Sequence, residues 1–127
     1  MVEIVWEVVV KEEARGQFEL AYGPGGAWSE LFAGWPGFRG IMLLRDVNRP
    51  RHYLTIELWE SVADREQARE ERAAEYATLE VTLAGWVESR TEVGAFRALA
   101  EATVRPRGRA ERAYVRDAAR RGRRASR

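Results

Sequence analysis

The sequence has no cysteine, one histidine (His52), one asparagine (Asn48) and four prolines in 127 residues. The missing thiol removes disulfides, thiolate metal sites and cysteine nucleophiles together. With a single histidine, a metal site would need carboxylates. Yet the acids of residues 66–72 (EQAREER) alternate with arginines at helical pair spacing, the pattern of a self-paired solvated face. No metal is expected. No apolar run approaches the roughly 18 residues of a membrane span, and no basic stretch precedes an apolar one near Met1. A soluble, cytoplasmic protein is the expectation. Gly23-Pro24-Gly25-Gly26 lacks the spacing and the Lys-Ser/Thr of a phosphate loop and reads as a helix stop. No Ser-His-Asp arrangement is legible.

What the chain does have is a core and an uneven charge. Hydrophobic residues make up 46% and charged ones 32%, enough to bury a core and stay in solution as one domain. Five Trp, four Tyr and four Phe are generous for this length and fill either a core or a ligand pocket. The net charge of +1 hides an asymmetry. Residues 97–127 carry eleven arginines against Glu101, Glu111 and Asp117, a net +8, and the rest carries −7. Residues 1–96 therefore read as an acidic domain and 97–127 as an Arg-rich tail, disordered or weakly helical around 110–121. The tail offers charge with almost no aromatic interleaving, so nucleic acid is not the expected partner.

Within the domain, β-branched residues 2–10 (VEIVWEVVV) predict a strand. Residues 11–22 turn to helical period, with Ala14, Phe18, Ala21 and Tyr22 on one side. A short helical turn follows at 28–32, then strands at 38–47 and 52–59 joined by the turn Asn48-Arg49-Pro50-Arg51. Ser61 occupies an N-cap position with Asp64 three residues on, opening a long helix to about Leu83. That helix keeps Ala68, Tyr76, Leu79 and Leu83 for the core, and residues 86–93 form the last strand. The order β-α-β-β-α-β gives a ferredoxin-like α+β fold with a four-stranded antiparallel sheet and both helices on one face.

Alternation assigns the two sheet faces. Val2, Ile4, Trp6 and Val8 join Met42, Leu44, Leu54, Ile56 and Leu58 in a set so apolar that it is placed under the helices. The other set mixes Glu3, Glu7, Arg39, Arg45, Thr55 and Glu57 with Val5, Val9, Ile41, Leu43, Tyr53 and Trp59. That is too apolar for a solvated face, so a homodimer through it is expected; cover by the helical turn or the tail is the alternative.

The strand ending in Trp59-Glu60-Ser61 and opening a long helix resembles the antibiotic biosynthesis monooxygenase family. The first strand and helix, Pro36-Gly37-Phe38 before the second strand, and Thr91-Glu92-Val93-Gly94 are similar to it as well, over about Val2 to Phe96. The resemblance implies a dimeric α+β barrel with a pocket between sheet and helices in each protomer. In some members that pocket oxidises polycyclic aromatics or quinols with molecular oxygen and no cofactor; others degrade haem. Haem degradation is not supported here, because the sole asparagine lies in a turn and the long helix has no histidine.

Oxygenation without a cofactor needs an aromatic pocket, a proton acceptor and donors to a developing anion. Tyr22, Trp28, Phe32, Trp59 and Trp86 are the candidate substrate-binding residues, with Trp35 and Tyr76 also among the aromatics available to line the pocket. Each is also an ordinary core residue, and Trp59 belongs either to the pocket or, by its alternation with Tyr53 and Glu57, to the dimer interface. Tyr76, on the inner helical stripe, is the candidate hydrogen-bond donor, and His52 the candidate base because its ordinary pKa lies near neutrality. Arg90, between Glu88 and Glu92, fits an ion-pair ladder. Two functions follow. One is a dimeric, cofactor-independent monooxygenase of a small aromatic, polyketide-type or quinol substrate; the other is a non-catalytic dimeric binding module of the same fold.

Overall fold

The computed structural model describes residues 1–99. The tail expected at 97–127 therefore lies outside the described residues apart from its first three.

Four strands, β1 (Val2–Val10), β2 (Phe38–Arg45), β3 (His52–Trp59) and β4 (Val87–Arg97), form one antiparallel sheet in the order β2-β3-β1-β4. Helices α1 (Arg15–Tyr22), α2 (Ala27–Leu31), α3 (Val62–Glu71) and α4 (Ala73–Trp86) complete the ferredoxin-like α+β fold. Among the described residues no helix is long and apolar enough to cross a membrane.

Local chemistry explains the helix boundaries. Ser61 Oγ accepts the Asp64 amide at 3.1 Å and donates to Asp64 Oδ2 at 2.9 Å, capping α3 as expected. Gly37 turns the chain at φ +84°, and a side chain there would collide with the Asp64 carboxylate. The expected long helix is bent: at Arg72 the backbone moves to φ −110°, ψ 26°, while Arg72 N–H to Ala68 O and Tyr76 N–H to Arg72 O stay at 2.9 Å. The bend falls where composition changes, from the charged α3 to the largely apolar α4. The expected helix at 11–22 opens with a 3-10 turn at Glu12–Ala14, and Trp86 ends α4 instead of opening β4.

The face assignment needs correction in two strands. Val2, Ile4, Trp6 and Val8 do lie under the helices, but the register sets them beside Trp59, Glu57, Thr55 and Tyr53. Ile41 and Leu43 of β2 follow the same side, and Met42, Leu44, Leu54, Ile56 and Leu58 form the open face with Val5 and Val9. The purer aliphatic set of β2 and β3 is thus the outer one. Thr55 and Glu57 are buried because α3 and β3 supply polar partners for Glu57, so the inner side tolerates them. Trp59, 0% exposed, belongs to the helix side and not to the open face.

Candidate active site

Parity and the glycine break assemble the aromatics between sheet and helices. Gly26 lies so close to the carbonyls of Leu20 and Ala21 that a Cβ would collide with them, so α2 can follow α1 directly and tuck Trp28 beneath it. A continuous run of ring contacts results. Tyr53 meets Phe18 (4.9 Å between centroids), Phe18 meets Tyr22 (4.8 Å), and Tyr22 stacks on Trp28 at 5.6 Å and 14°. Trp28 meets Tyr76 edge-on at 5.4 Å, Tyr76 meets Phe32 at 6.2 Å, and Phe32 meets Trp59 at 5.2 Å.

Two ion pairs sit in this aromatic layer. Arg65 donates from Nε to Glu57 Oε1 at 3.1 Å and from Nη2 to Oε2 at 3.3 Å, and Trp59 Nε1 donates to the same Glu57 Oε1 at 3.1 Å. Arg90 donates from Nη1 to both oxygens of Glu80, at 3.1 and 2.9 Å. Its guanidinium lies 3.8 Å over the Trp6 ring and 6.0 Å from that of Trp28. The ladder expected for Arg90 is thus corrected: its partner comes from α4, because parity points it into the helix layer opposite Val8.

The phenols are tuned by this setting. Burial pushes the Tyr22 phenol well above its ordinary value, against the opposing influence of Arg90. Burial also raises Tyr76, and the Glu80 carboxylate beside it adds to the shift. Both therefore stay protonated at neutral pH. Burial works against the charge of Arg65, but its hydrogen bonds to Glu57 and the negative charges of Glu57 and Glu66 together outweigh that and raise its pKa. Tyr76 also reaches the surface, where it lines a depression of about 350 Å³ with Glu66, Arg69, Glu70 and Ala73. Arg69 lies 4.8 Å over its ring.

The structure thus brings together Tyr22, Trp28, Phe32, Trp59 and Tyr76. It does not bring His52 to them. Tyr53 points into the helix layer, so His52, one residue earlier, lies on the opposite side of the sheet in a cleft of about 410 Å³ with Glu7, Leu44, Leu54 and Val93. Trp86 stands apart too, lining an open depression of about 440 Å³ with Leu20, Pro24 and the glycines that follow. Sequence reasoning missed Glu57, Arg65, Glu80, Arg90 and Trp6 as site groups. One signal was available: Arg65 lies three residues before Ala68 on the buried stripe of α3. Among the described residues no group of His, Asp and Glu could hold a metal ion.

No curated protein matches the chain. Solved structures resemble its fold. A protein of Nitrosomonas europaea assigned to the antibiotic biosynthesis monooxygenases is 22% identical, covering 78% of this chain and 90% of its own, with a TM-score of 0.64. SnoaB, a cofactor-independent oxygenase from Streptomyces nogalater, is 21% identical in a mutant form, covering 83% and 96%, with a TM-score of 0.61. At these identities the likeness shows the fold alone. The sequence model of the antibiotic biosynthesis monooxygenases matches residues 1–77, more than half of the chain. The chain belongs to the antibiotic biosynthesis monooxygenase family.

Proposed function

We propose that the protein is a cytoplasmic, homodimeric monooxygenase that oxidises a small aromatic, polyketide-type or quinol substrate with molecular oxygen and no cofactor. The observation that carries this reading is the protonated Tyr76 phenol, set between aromatic rings beside the Arg90–Glu80 pair and bordering a surface depression. A phenol substrate gives up its proton to water at the depression and passes one electron to oxygen; the resulting radical pair combines at a ring carbon, and the peroxide anion takes a proton back to become a hydroperoxide. Loss of water from that hydroperoxide leaves a quinone, so one phenol and one O2 give one quinone and one water. Tyr76 donates to the substrate oxygen as charge develops there, and the ring layer keeps water away. The name of the fold relative SnoaB, a cofactor-independent oxygenase, supports the same class.

The dimer rests on the open sheet face. Met42, Leu44, Leu54 and Phe96 are 43, 42, 36 and 48% exposed there, next to Val5, Ile56 and Leu58. A neighbouring set of this kind suits a partner's sheet better than water. The rival reading, a non-catalytic dimeric binding module, is favoured by one observation: Glu57 and Glu80, two carboxylates of the aromatic layer, are both held by arginines.

Oxygen uptake by the purified protein, measured against polycyclic phenols and quinols, separates the two. Consumption of one O2 per quinone formed supports the oxygenase. Saturable binding without uptake supports the module.

A further inference from the structure

We infer that residues 105–109 of this chain (RPRGR) fold back over the open face of the sheet and seat an arginine in its cleft, on Glu7, with Glu3 as a second anchor, whatever the chemistry of the helix side. The cleft of about 410 Å³ has apolar walls in Leu44, Leu54 and Val93. Its other charges are matched. Arg49 Nη2 meets Asp46 Oδ2 at 3.0 Å, Arg45 faces Glu19 at 3.9 Å, and the Tyr53 hydroxyl donates to Glu19. Glu7 has no hydrogen-bond or ion-pair partner among the described residues, and His52, which shares the cleft, has none for Nδ1. Glu3 is likewise unpaired among the described residues, and the register sets it, half-buried, between Leu58 and Phe96. A carboxylate set among aliphatic side chains calls for a cation with an apolar stem, and arginine has both.

The chain itself delivers that group. Strand β4 leads the backbone out beside β1, where Ala98 N–H donates to Met1 O at 3.1 Å and Phe96 lies next to Glu3. Arg97 is level with Val2, so Glu7 lies about 17 Å further along β1 at the usual rise of a strand. The stretch from Arg97 to Arg105 spans up to about 26 Å when extended, enough to turn and come back. Arg105, Arg107 and Arg109 follow within that reach with no acid among them, and Pro106 and Gly108 disfavour a helix there. Charge agrees on the larger scale, −7 for residues 1–96 against +8 for 97–127. The acids of α3 compete poorly, because Glu66, Glu70 and Glu71 are exposed to water and interleaved with Arg69 and Arg72. A second copy laid on this face brings more of the same acids, so the arginines relieve like charge in the dimer as well.

Trypsin tests the seat directly on the full-length protein, because it cuts after an arginine only when that stretch of chain is free. Cleavage after Arg107 and after Arg109 is followed by mass spectrometry in about 0.02 M and about 0.5 M NaCl (Arg105 precedes a proline, which blocks the enzyme). At low salt the wild type should be cut at these two bonds at least about tenfold more slowly than Glu7→Gln, and high salt should remove the difference. Cleavage after Arg124 is the control and should be alike in both proteins. Equal rates after Arg107 and Arg109 in wild type and Glu7→Gln overturn the docking, as does slow cleavage that high salt leaves unchanged. Should Glu7→Gln fail to fold, Glu3→Gln takes its place under the same criteria. Protection that fades on dilution through the micromolar range would put the segment on a second copy and overturn docking within one chain.

Discussion

Glu80 receives Arg90 Nη1 on both of its carboxylate oxygens, tying the middle of α4 to β4 directly over the indole of Trp6. The two ends of the pair differ in exposure: the Arg90 side chain is 14% exposed and that of Glu80 33%. Glu80→Leu strands a cation that is largely out of water, whereas Arg90→Leu leaves a carboxylate that can reach it. Urea unfolding should therefore find Glu80→Leu the costlier change, by roughly 1.5–3 kcal/mol in all. Equal or reversed costs would show that the stack on Trp6, not the ion pair, sets the energy.

Glu57 and Arg65 are more deeply enclosed, with side chains 11% and 6% exposed. Breaking such a pair from one side leaves an uncompensated buried charge, so Glu57→Gln should cost about 3–5 kcal/mol. Replacing both, as Glu57→Leu with Arg65→Met, should return most of that, since the pair itself was bought with desolvation. A double variant as unstable as the single one would mean that Trp59, which donates to Glu57, needs the carboxylate independently.

Stability should fall in alkali. The folded protein holds the Tyr22 proton above the ordinary phenol value of 10.0, so its contribution is complete below that pH and is lost as pH rises through the higher folded value. The window therefore opens near pH 10, and Tyr76 adds to it in the same sense. Tyr22→Phe should flatten the decline in melting temperature above pH 10. An unchanged slope would place the alkaline transition elsewhere.

The open face of the sheet gives a test of assembly. Leu44→Glu or Leu54→Glu places a charge among Met42, Ile56 and Leu58 without touching the helix layer, and sedimentation should then report a folded monomer. Leu43→Glu should instead unfold the protein, because Leu43 packs against the buried cluster of Phe18, Tyr53 and Leu83. A wild type that is monomeric at micromolar concentration would sink the dimer.

The sequence made the element order plain because each transition is locally marked: β-branched runs, the glycine break at 23–26, the Ser61 cap. Which parity of β2 and β3 faces the helices was not, since both sides are rich in apolar residues and hydrophobicity alone favours Leu54, Ile56 and Leu58 over Thr55 and Glu57. Only the register against β1, together with Arg65 waiting on α3, settles it. The aromatic half of the site was legible for the same reason that its ion pairs were not. Rings announce burial, whereas a buried Arg65 within VADREQAREE looks like its solvated neighbours.

Tyr76→Phe removes one hydroxyl and almost no volume, and its ring contacts with Trp28 and Phe32 should persist, so folding is spared. If the phenol donates to an oxygen that gains charge during oxidation, turnover of a phenol substrate should fall by a hundredfold or more, about 2.7–4 kcal/mol for one such donor. Binding of the ground-state substrate should change far less, so the loss appears in kcat more than in KM. His52→Ala is the matched control, because the sheet separates His52 from Tyr76 and the variant should keep wild-type turnover. The opposite result, a silent Tyr76→Phe beside an inactive His52→Ala, would move the reaction to the cleft on the open face, where in a dimer the partner's sheet would enclose it.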